Sequence, residues 1–381
     1  MFIGIDGNEA NVENRVGISE YAFALLSQFN KETIGESSQK LQYQIYLKDS
    51  PLGHMPKEKD ENWHYRIVGP RKLWTQFGLP LDLYTHKPRP NVFFSPTHYA
   101  PRFSPIPTAI SIMDLSYIHY PYLFRQSDLY QLRNWTAYSA RQATKIFTIS
   151  NASKDDIIKV YDVPSHKVVV TYPGIKFKTK MSKLKTTVQN SKVLKKYGVS
   201  GDYILFVGTL QPRKNITRLI EAFAKIHHQN KSLQLVVVGK KGWLYEEILE
   251  APKQYHIEAQ VKFLEFVPDE DLSVLYQQAI CFVLPSLYEG FGLPVLEAMS
   301  HGCPVITSST SSLPEAGGEA ALYVDPTDVD DIASKMSLLI KDEKLKKELR
   351  EKGYKQVKKF SWEKTARETL TVLEQVGKGI L

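Results

Sequence analysis

The chain reads as an α/β protein of two doubly wound parallel-sheet domains facing a cleft. Three observations carry that reading. First, 381 residues are more than one core comfortably holds, so two or three domains are favoured. Second, short apolar runs alternate with helix-period stretches along almost the whole chain, the pattern of parallel strands linked by crossover helices. Third, the alternation breaks once, at "KFKTKMSKLKTTVQNSKVLKKYG" (176–198), which holds eight lysines and no acid.

The first half opens with a buried-strand candidate, Phe2–Ile5, followed by the helical pattern Ile18–Phe29. Further strands are expected at Gln42–Leu47, Tyr65–Val68, Val92–Ser95, Thr108–Met113, Lys145–Ile149 and Val168–Tyr172. The stretch 69–107 is rich in proline and aromatics and reads as loops and short irregular pieces. Beyond the lysine-rich break the alternation is regular. "YILFVG" (203–208) is continuous and apolar, as a strand covered on both faces must be. Ile216, Leu219, Ile220, Phe223 and Ile226 follow at helical spacing. Then come "LQLVVVG" (233–239), a helix near 243–251, "VKFLEFV" (261–267), and a helix capped by Asp269 with Leu272, Leu275 and Tyr276 inside. "CFVLPS" (281–286), a helix after Pro294, "PVITS" (304–308) and "ALYVDP" (321–326) complete the series. In the last helix, "SWEKTARETLTVLEQV", Trp362, Ala366, Leu370, Leu373 and Val376 form one stripe, which packing explains.

Bulk composition excludes several classes. No run approaches eighteen apolar residues, so no spanning helix is expected. The start, MFIGIDGNEA, carries an early acid and lacks a basic n-region, so it does not read as a secretory signal. Cys281 and Cys303, the only cysteines, sit in apolar strand-like runs and read as reduced core residues of a cytoplasmic protein. The net charge of +8 owes much to the lysine-rich break, which reads either as a solvated linker or as attraction to an anionic membrane surface or polyanion. No aromatic–basic interleaving accompanies it, so nucleic acid is not an expected partner.

Two stretches carry chemistry. In "SLYEGFGLPVLEAMSHGCPVITS" (286–308), Gly290 and Gly292 permit close backbone approach to a ligand, and Pro294 suits a helix start. Free N–H groups and the positive helix end there form an anion site that a diphosphate fits. Glu297, one turn inside, can accept from a ribose diol, and Glu289 precedes the glycines, towards whatever hangs off the diphosphate. Surface glutamates and Gly-Pro helix starts are also common without function. In "FVGTLQPRKN" (206–215), Arg213 and Lys214 would sit at the same sheet edge, as a diphosphate clamp or merely as a solvated turn. No G-x-x-x-x-G-K-[ST] and no G-x-G-x-x-G string follows a strand, which disfavours P-loop enzymes and dehydrogenases.

Together these segments resemble the retaining glycosyltransferases of group 1, family 4, with two Rossmann-like domains in the GT-B arrangement, and mannosyltransferases among them. "GIDGNEANVENRVGISEYAFALL" resembles the family's N-terminal glycine loop and first helix, "SIMDLSYIHYP" its "HDL" segment, and "TISNASKDDI" its "SxxSxxDI" helix start. "GTLQPRKN", "EGFGLPVLE" and "SSLPEAGGEAALYVDP" resemble its donor-domain signatures. The resemblance implies an acceptor-binding domain over 1–175, a basic linker over 176–200 and a donor-binding domain over 201–361, with the helix 362–381 packed back near the first domain. It implies a nucleotide diphosphate sugar as substrate, GDP-mannose first and UDP-sugars as alternatives, with no cofactor and no metal. Glu289 would hold the sugar ring and Glu297 the ribose. Gly290, Phe291, Gly292 and Leu293 would offer N–H groups, and Arg213 and Lys214 would clamp the diphosphate. Gly17 would approach the same phosphates from the other domain as the cleft closes. The base would lie against "VGKKGW" and "EFVPDEDL", near Gly239, with main-chain atoms of Phe266 and Val267 reading its edge.

One departure stands out: the family's histidine before the aspartate of "HDL" is Met113 here. His98 and His119 could substitute, or could be structural or acceptor-side residues; Tyr117 is a further acceptor candidate. Asp114 could orient acceptor hydroxyls or cap the next turn. The D-x-D string "DVDD" (328–331), a metal motif in the other large glycosyltransferase architecture, reads here as a helix cap. The implied reaction moves a hexose, with retention, onto a hydroxyl of a glycan or lipid-linked acceptor; the enzyme would be cytoplasmic, with a peripheral position on the inner membrane face. A nucleotide-sugar epimerase or hydrolase, and a non-catalytic sugar-nucleotide-binding protein, are the alternatives.

Overall fold

The structure is a computed structural model and describes residues 1–15, 17–32, 41–58, 61–175 and 187–380. It divides into two compact units. Unit 1 takes Met1–Gly174 and Phe360–Leu381, and unit 2 takes Ile175–Lys359.

Unit 1 holds seven parallel strands: β1 (Phe2–Asp6), β2 (Gln42–Leu47), β3 (Trp63–Ile67), β4 (Val92–Ser95), β5 (Thr108–Ser111), β6 (Lys145–Thr148) and β7 (Val168–Val170), in the order β3-β2-β1-β4-β5-β6-β7. Unit 2 holds six: β8 (Tyr203–Val207), β9 (Gln234–Val238), β10 (Val261–Leu264), β11 (Cys281–Leu284), β12 (Val305–Ser308) and β13 (Ala321–Val324), ordered β10-β9-β8-β11-β12-β13. All pairings between these strands are parallel. Strand order reverses between β1 and β4 in one sheet and between β8 and β11 in the other. Chains leave the sheet in opposite directions at such a point, opening a crevice beyond the strand ends. The loops after β8 and β11 are the two stretches singled out for chemistry.

The second sheet follows its hydrophobic pattern: β9 is buried at every residue and β8 at all but its last. With no water on either face, only apolar runs remain stable there. β10 ends at Leu264, short of the run 261–267, and β11 ends at Leu284, directly before Pro285, which has no N–H to give to the ladder. β3 begins earlier than expected, at a buried Trp63.

Three local expectations need correction. The segment 69–107 is not all irregular: a π-helical turn, Trp74–Gly78, runs into a helix, Leu79–Thr85. Pro80 sits in the first turn of that helix, where a missing N–H leaves no bond unmade, so the proline does not break it. Of the basic linker, 176–186 lies outside the described residues, whereas Thr187–Lys196 is a helix of unit 2, tied to Asp271 through Lys196 at 2.8 Å and Tyr197 at 2.9 Å. The helix Asp269–Gln278 starts from Pro268, with Asp269 in its first turn rather than at the cap. Asp328 does cap its helix, Val329–Lys341, accepting from the N–H groups of Asp330 and Asp331 at 2.8 and 3.1 Å.

The last helix, Trp362–Gly377, buries its stripe in unit 1 among Ile3, Tyr21, Leu25 and Val92. Ser361 caps it, and Gly174 is where the chain passes it: a Cβ there would lie 2.0 Å from the Trp362 nitrogen. Cys281 and Cys303 are buried free thiols. Among the described residues no helix is long and apolar enough to cross a membrane.

Candidate active site

The site grows from the ends of β8 and β11. After β8 the chain makes a short 3-10 turn, Pro212–Lys214, and Asn215 adopts a left-handed conformation (φ 59°) to start the helix Ile216–His227. Asparagine tolerates that conformation better than most residues. Its amide nitrogen donates to the carbonyls of Pro285 at 2.9 Å and Pro326 at 2.6 Å. One side chain thus staples the segments following β8, β11 and β13. Sequence reading missed it because both partners are far away in the chain; the asparagine after "PRK" at a helix start was the available signal.

That turn presents Arg213 and Lys214 to the loop after β11. Arg213 Nη1 lies 2.9 Å from Glu289 Oε2 and 2.6 Å from the Tyr288 carbonyl. Lys214 Nζ lies 2.5 Å from Glu289 Oε1, and the Ser286 hydroxyl donates to the same oxygen at 2.6 Å. Lys214 and Glu289 are both buried. Burial pushes the Glu289 carboxyl up, but Lys214 and Arg213 outweigh it and hold the group at about 2. The carboxylate is therefore ionised at neutral pH. Sequence reading placed these three residues at one site; it did not foresee that the two cations bind the glutamate itself.

The loop after β12 grips the same residue from its backbone. The hydroxyls of Ser311 and Ser312 donate to the Glu289 carbonyl at 2.5 and 2.8 Å, and the Glu289 N–H donates to Ser311 Oγ at 3.1 Å. Glu289 is fixed on every side before the chain reaches Gly290.

Gly292 precedes the helix Leu293–Ser300 with φ 107°, a conformation that favours glycine. A Cβ there would come within 2.8 Å of Leu313 Cδ2. Pro294 is the second helical residue rather than the first, still within the orphan N–H turn. Phe291 is buried at 2% exposure. Glu297 projects from the first turns of this helix and accepts from the Tyr276 hydroxyl at 3.4 Å. Burial raises its pKa above the ordinary carboxylate value. His301 stacks on Tyr276, with ring centroids 5.3 Å apart, and its Nδ1 lies 2.8 Å from the Glu297 carbonyl.

Gly239 has a packing role: a Cβ there would lie 1.9 Å from the Gly208 carbonyl, where the ends of β8 and β9 meet. Phe266 is 83% exposed, while Val267 is buried.

The remaining candidates lie in unit 1. Gly17 (φ 54°) leads into the helix Ile18–Glu32 and accepts from the Tyr21 N–H at 3.1 Å. Asp114 Oδ1 accepts from the Ser116 N–H at 2.8 Å, so it caps the turn after β5. Met113 packs against the core. His98 has no hydrogen-bond partner at Nδ1, and burial pushes its ring down to about 4, so it is neutral at pH 7. His119 pairs with Asp156 at 2.9 Å. Tyr117 is 3% exposed in the core, and its hydroxyl lies 2.5 Å from that of Tyr161. Its place in "SYIHYP" gave no sign that the ring turns inward.

Residues 192–356 match the family model for glycosyl transferases group 1. The chain is 36% identical over 235 residues to O-antigen chain mannosyltransferase B of Escherichia coli, a match covering 61% of each chain. It is 29% identical over 241 residues to the MMP alpha-(1->4)-mannosyltransferase of Mycolicibacterium hassiacum, covering 62% of this chain and 55% of the relative. The chain thus spans less than two thirds of the length of these relatives. Among solved structures, Anabaena Alr3699/HepE in complex with UDP and glucose superposes with a TM-score of 0.74 at 17% identity, covering 98% of this chain and 99% of that one. Sucrose-phosphate synthase of Thermosynechococcus elongatus gives 0.74 at 18% identity, covering 99% of both. Likeness at such identity speaks for the fold, and the fold is the two-sheet GT-B architecture. The stretch that matches the glycosyl transferases group 1 model, residues 192–356, lies in the second unit and contains the Arg213–Lys214–Glu289 network.

Proposed function

We propose that the protein transfers a hexose, mannose from GDP-mannose in the first instance, to a hydroxyl of a glycan or lipid-linked acceptor, with retention at the anomeric carbon. The observation that carries this reading is the ionised Glu289 held between Arg213 and Lys214 at the β8/β11 switch point. The mannosyltransferase names of the relatives support the choice of sugar.

In this reading the two cations are shared between Glu289 and the departing diphosphate. They neutralise charge as the glycosidic bond breaks, so no metal is required. Glu289, ionised at about 2, cannot act as a proton donor at neutral pH; its negative charge favours the cationic sugar of the transition state. The leaving phosphate oxygen accepts the proton of the incoming hydroxyl on the same face. Glu297 receives the ribose hydroxyls, and main-chain atoms at Phe266 and Val267 receive the base. Unit 1 binds the acceptor, and the protein works at the inner face of the cytoplasmic membrane.

The test is a panel of GDP- and UDP-sugars scored by thermal stabilisation, since a ligand of the native state alone raises the melting temperature. Stabilisation by GDP-mannose, followed by mannose transfer to a polyprenyl-linked or glycan acceptor with an α-anomeric product, is the expected result. Indifference to every sugar nucleotide would overturn it. Release of free sugar or an epimer without acceptor would favour the hydrolase or epimerase alternative.

A further inference from the structure

A helix that buries one face normally presents polar residues on the other, and one that is apolar all round is buried in a core or in lipid. The segment Trp74–Thr85 breaks this expectation. Its inner face, Trp74, Leu79 and Leu83, packs against Tyr46, Val68 and Phe93. Its outer face is also apolar: Leu73, Phe77, Leu81 and Tyr84 are 52%, 64%, 65% and 49% exposed. Four such side chains in a row are not the scattered surface apolar residues every protein shows. The Arg102 N–H donates to the Thr75 carbonyl at 2.8 Å, which ties the chain just before Phe103 to this segment; Phe103, 73% exposed, meets the Tyr138 ring edge-on at 6.5 Å.

Charge frames this stripe. Residues 66–102 carry six cations and one acid. Arg66 is paired with that acid, Asp82, and Arg71 with Asp49, which leaves Lys72, Lys87, Arg89 and Arg102 as the cations of this stretch with no acidic partner among the described residues. Lys72 stands at one end of the stripe. Lys87 and Arg89 stand at the other, with the Arg89 guanidinium over the Tyr84 ring at 5.7 Å. Apolar residues on a line, cations at both ends and a rigidly packed underside form the pattern of an element lying in a bilayer interface. Acidic lipid headgroups complement the cations, each worth roughly fivefold in affinity near a negative surface.

We propose that the outer face of Leu73–Tyr84, with Phe103, is an interfacial docking surface for an anionic lipid bilayer. It seats unit 1 on the membrane without any crossing segment. The sugar chemistry proposed above plays no part in this inference; it supplies the address for the membrane position suggested there.

The test scores co-sedimentation of the full chain with phosphatidylglycerol vesicles and with phosphatidylcholine vesicles, with no sugar nucleotide present. Partition into anionic vesicles at least about tenfold stronger than into neutral ones is expected, and it should fade in high salt. Phe77→Ser/Leu81→Ser and Lys72→Glu/Lys87→Glu should each weaken it about tenfold or more, with the melting temperature unchanged because these side chains are exposed. Three results would overturn the proposal. One is equal partition into both vesicles. Another is loss of binding in Lys183→Glu/Lys185→Glu while the stripe variants still bind. The third is a lipid-free dimer that Phe77→Ser/Leu81→Ser dissociates, which would make the stripe an interface between two copies of the chain.

Discussion

Lys214 Nζ stands 2.5 Å from Glu289 Oε1, and both side chains are about nine-tenths removed from solvent. Arg213 holds the other carboxylate oxygen at 2.9 Å. A buried carboxylate between two cations couples stability to function, because removing it strands two positive charges. Glu289→Gln is expected to lower stability at pH 7 by about 3–5 kcal/mol, as in other broken buried pairs. If the proposed reaction holds, it should also lower kcat/KM by roughly a hundredfold. Urea unfolding and initial rates measure the two effects separately.

The same carboxyl sets a pH signature. Its folded pKa, about 2, lies below its ordinary value of 4.5. A depressed acid stabilises the fold above its unfolded pKa and loses that contribution as pH falls towards its folded pKa. Wild type should therefore lose on the order of 3 kcal/mol through this group between about pH 4.5 and pH 2. The difference in unfolding free energy between wild type and Glu289→Gln should shrink over that window. A constant difference would count against the ion pairs.

Asp6, at the end of β1, has the opposite sign. Burial raises its pKa from 3.8 to about 6, against the pull of two donors from Asn8. A raised acid favours folding below its unfolded pKa, and that contribution is lost as pH rises through 6. At pH 7 the buried charge opposes the fold. Asp6→Asn keeps an acceptor for Asn8 and removes the charge, so it should stabilise unit 1 at pH 7 by about 2 kcal/mol, with the gain vanishing near pH 4. Thermal melts of both proteins across pH 4–7 check this.

How far the sequence spoke depends on the range of each interaction. The strands of unit 2 were legible because burial on both faces forces continuous apolar runs, as in "LQLVVV". The loops of the site were legible only in combination: glycine, proline and paired charges at strand ends are each common without function, but here they recur at two strand ends that the structure joins through Glu289. Three things were hidden. The helix Leu79–Thr85 was masked by Pro80, whose meaning depends on its being in the first turn. The staple formed by Asn215 joins residues 70 and 111 positions away, which no local pattern encodes. Tyr117 reads in sequence only as an acceptor candidate, and nothing near it shows that its hydroxyl meets that of Tyr161, 44 positions away.

The staple gives its own prediction. Asn215→Ala removes two buried hydrogen bonds and leaves an alanine at φ 59°. Lost bonds of about 1 kcal/mol each and left-handed strain of about 1–2 kcal/mol sum to roughly 3–4 kcal/mol. Asn215→Gly relieves the strain alone and should recover about 1 kcal/mol of that loss. Denaturant midpoints of the three proteins, read on unit 2, decide it; equal stability of the two variants would show that conformational strain contributes nothing.

The last helix makes unit 1 discontinuous in sequence, which has a measurable consequence. Trp362, Ala366, Leu370 and Leu373 lie in the unit 1 core, and Trp362 meets Tyr21 edge-on at 5.9 Å. Leu370 is 4% exposed, so Leu370→Ala should cost about 2–5 kcal/mol. Because the helix follows unit 2 in the chain, a purely sequential reading assigns that loss to unit 2. The contacts assign it to unit 1. Hydrogen exchange read strand by strand separates the two. In Leu370→Ala, β1 and β4 should exchange faster, by a factor set by the lost free energy. β8 and β11 should keep their wild-type protection. Faster exchange in β8 and β11 alone would show that the helix serves the wrong unit for this account.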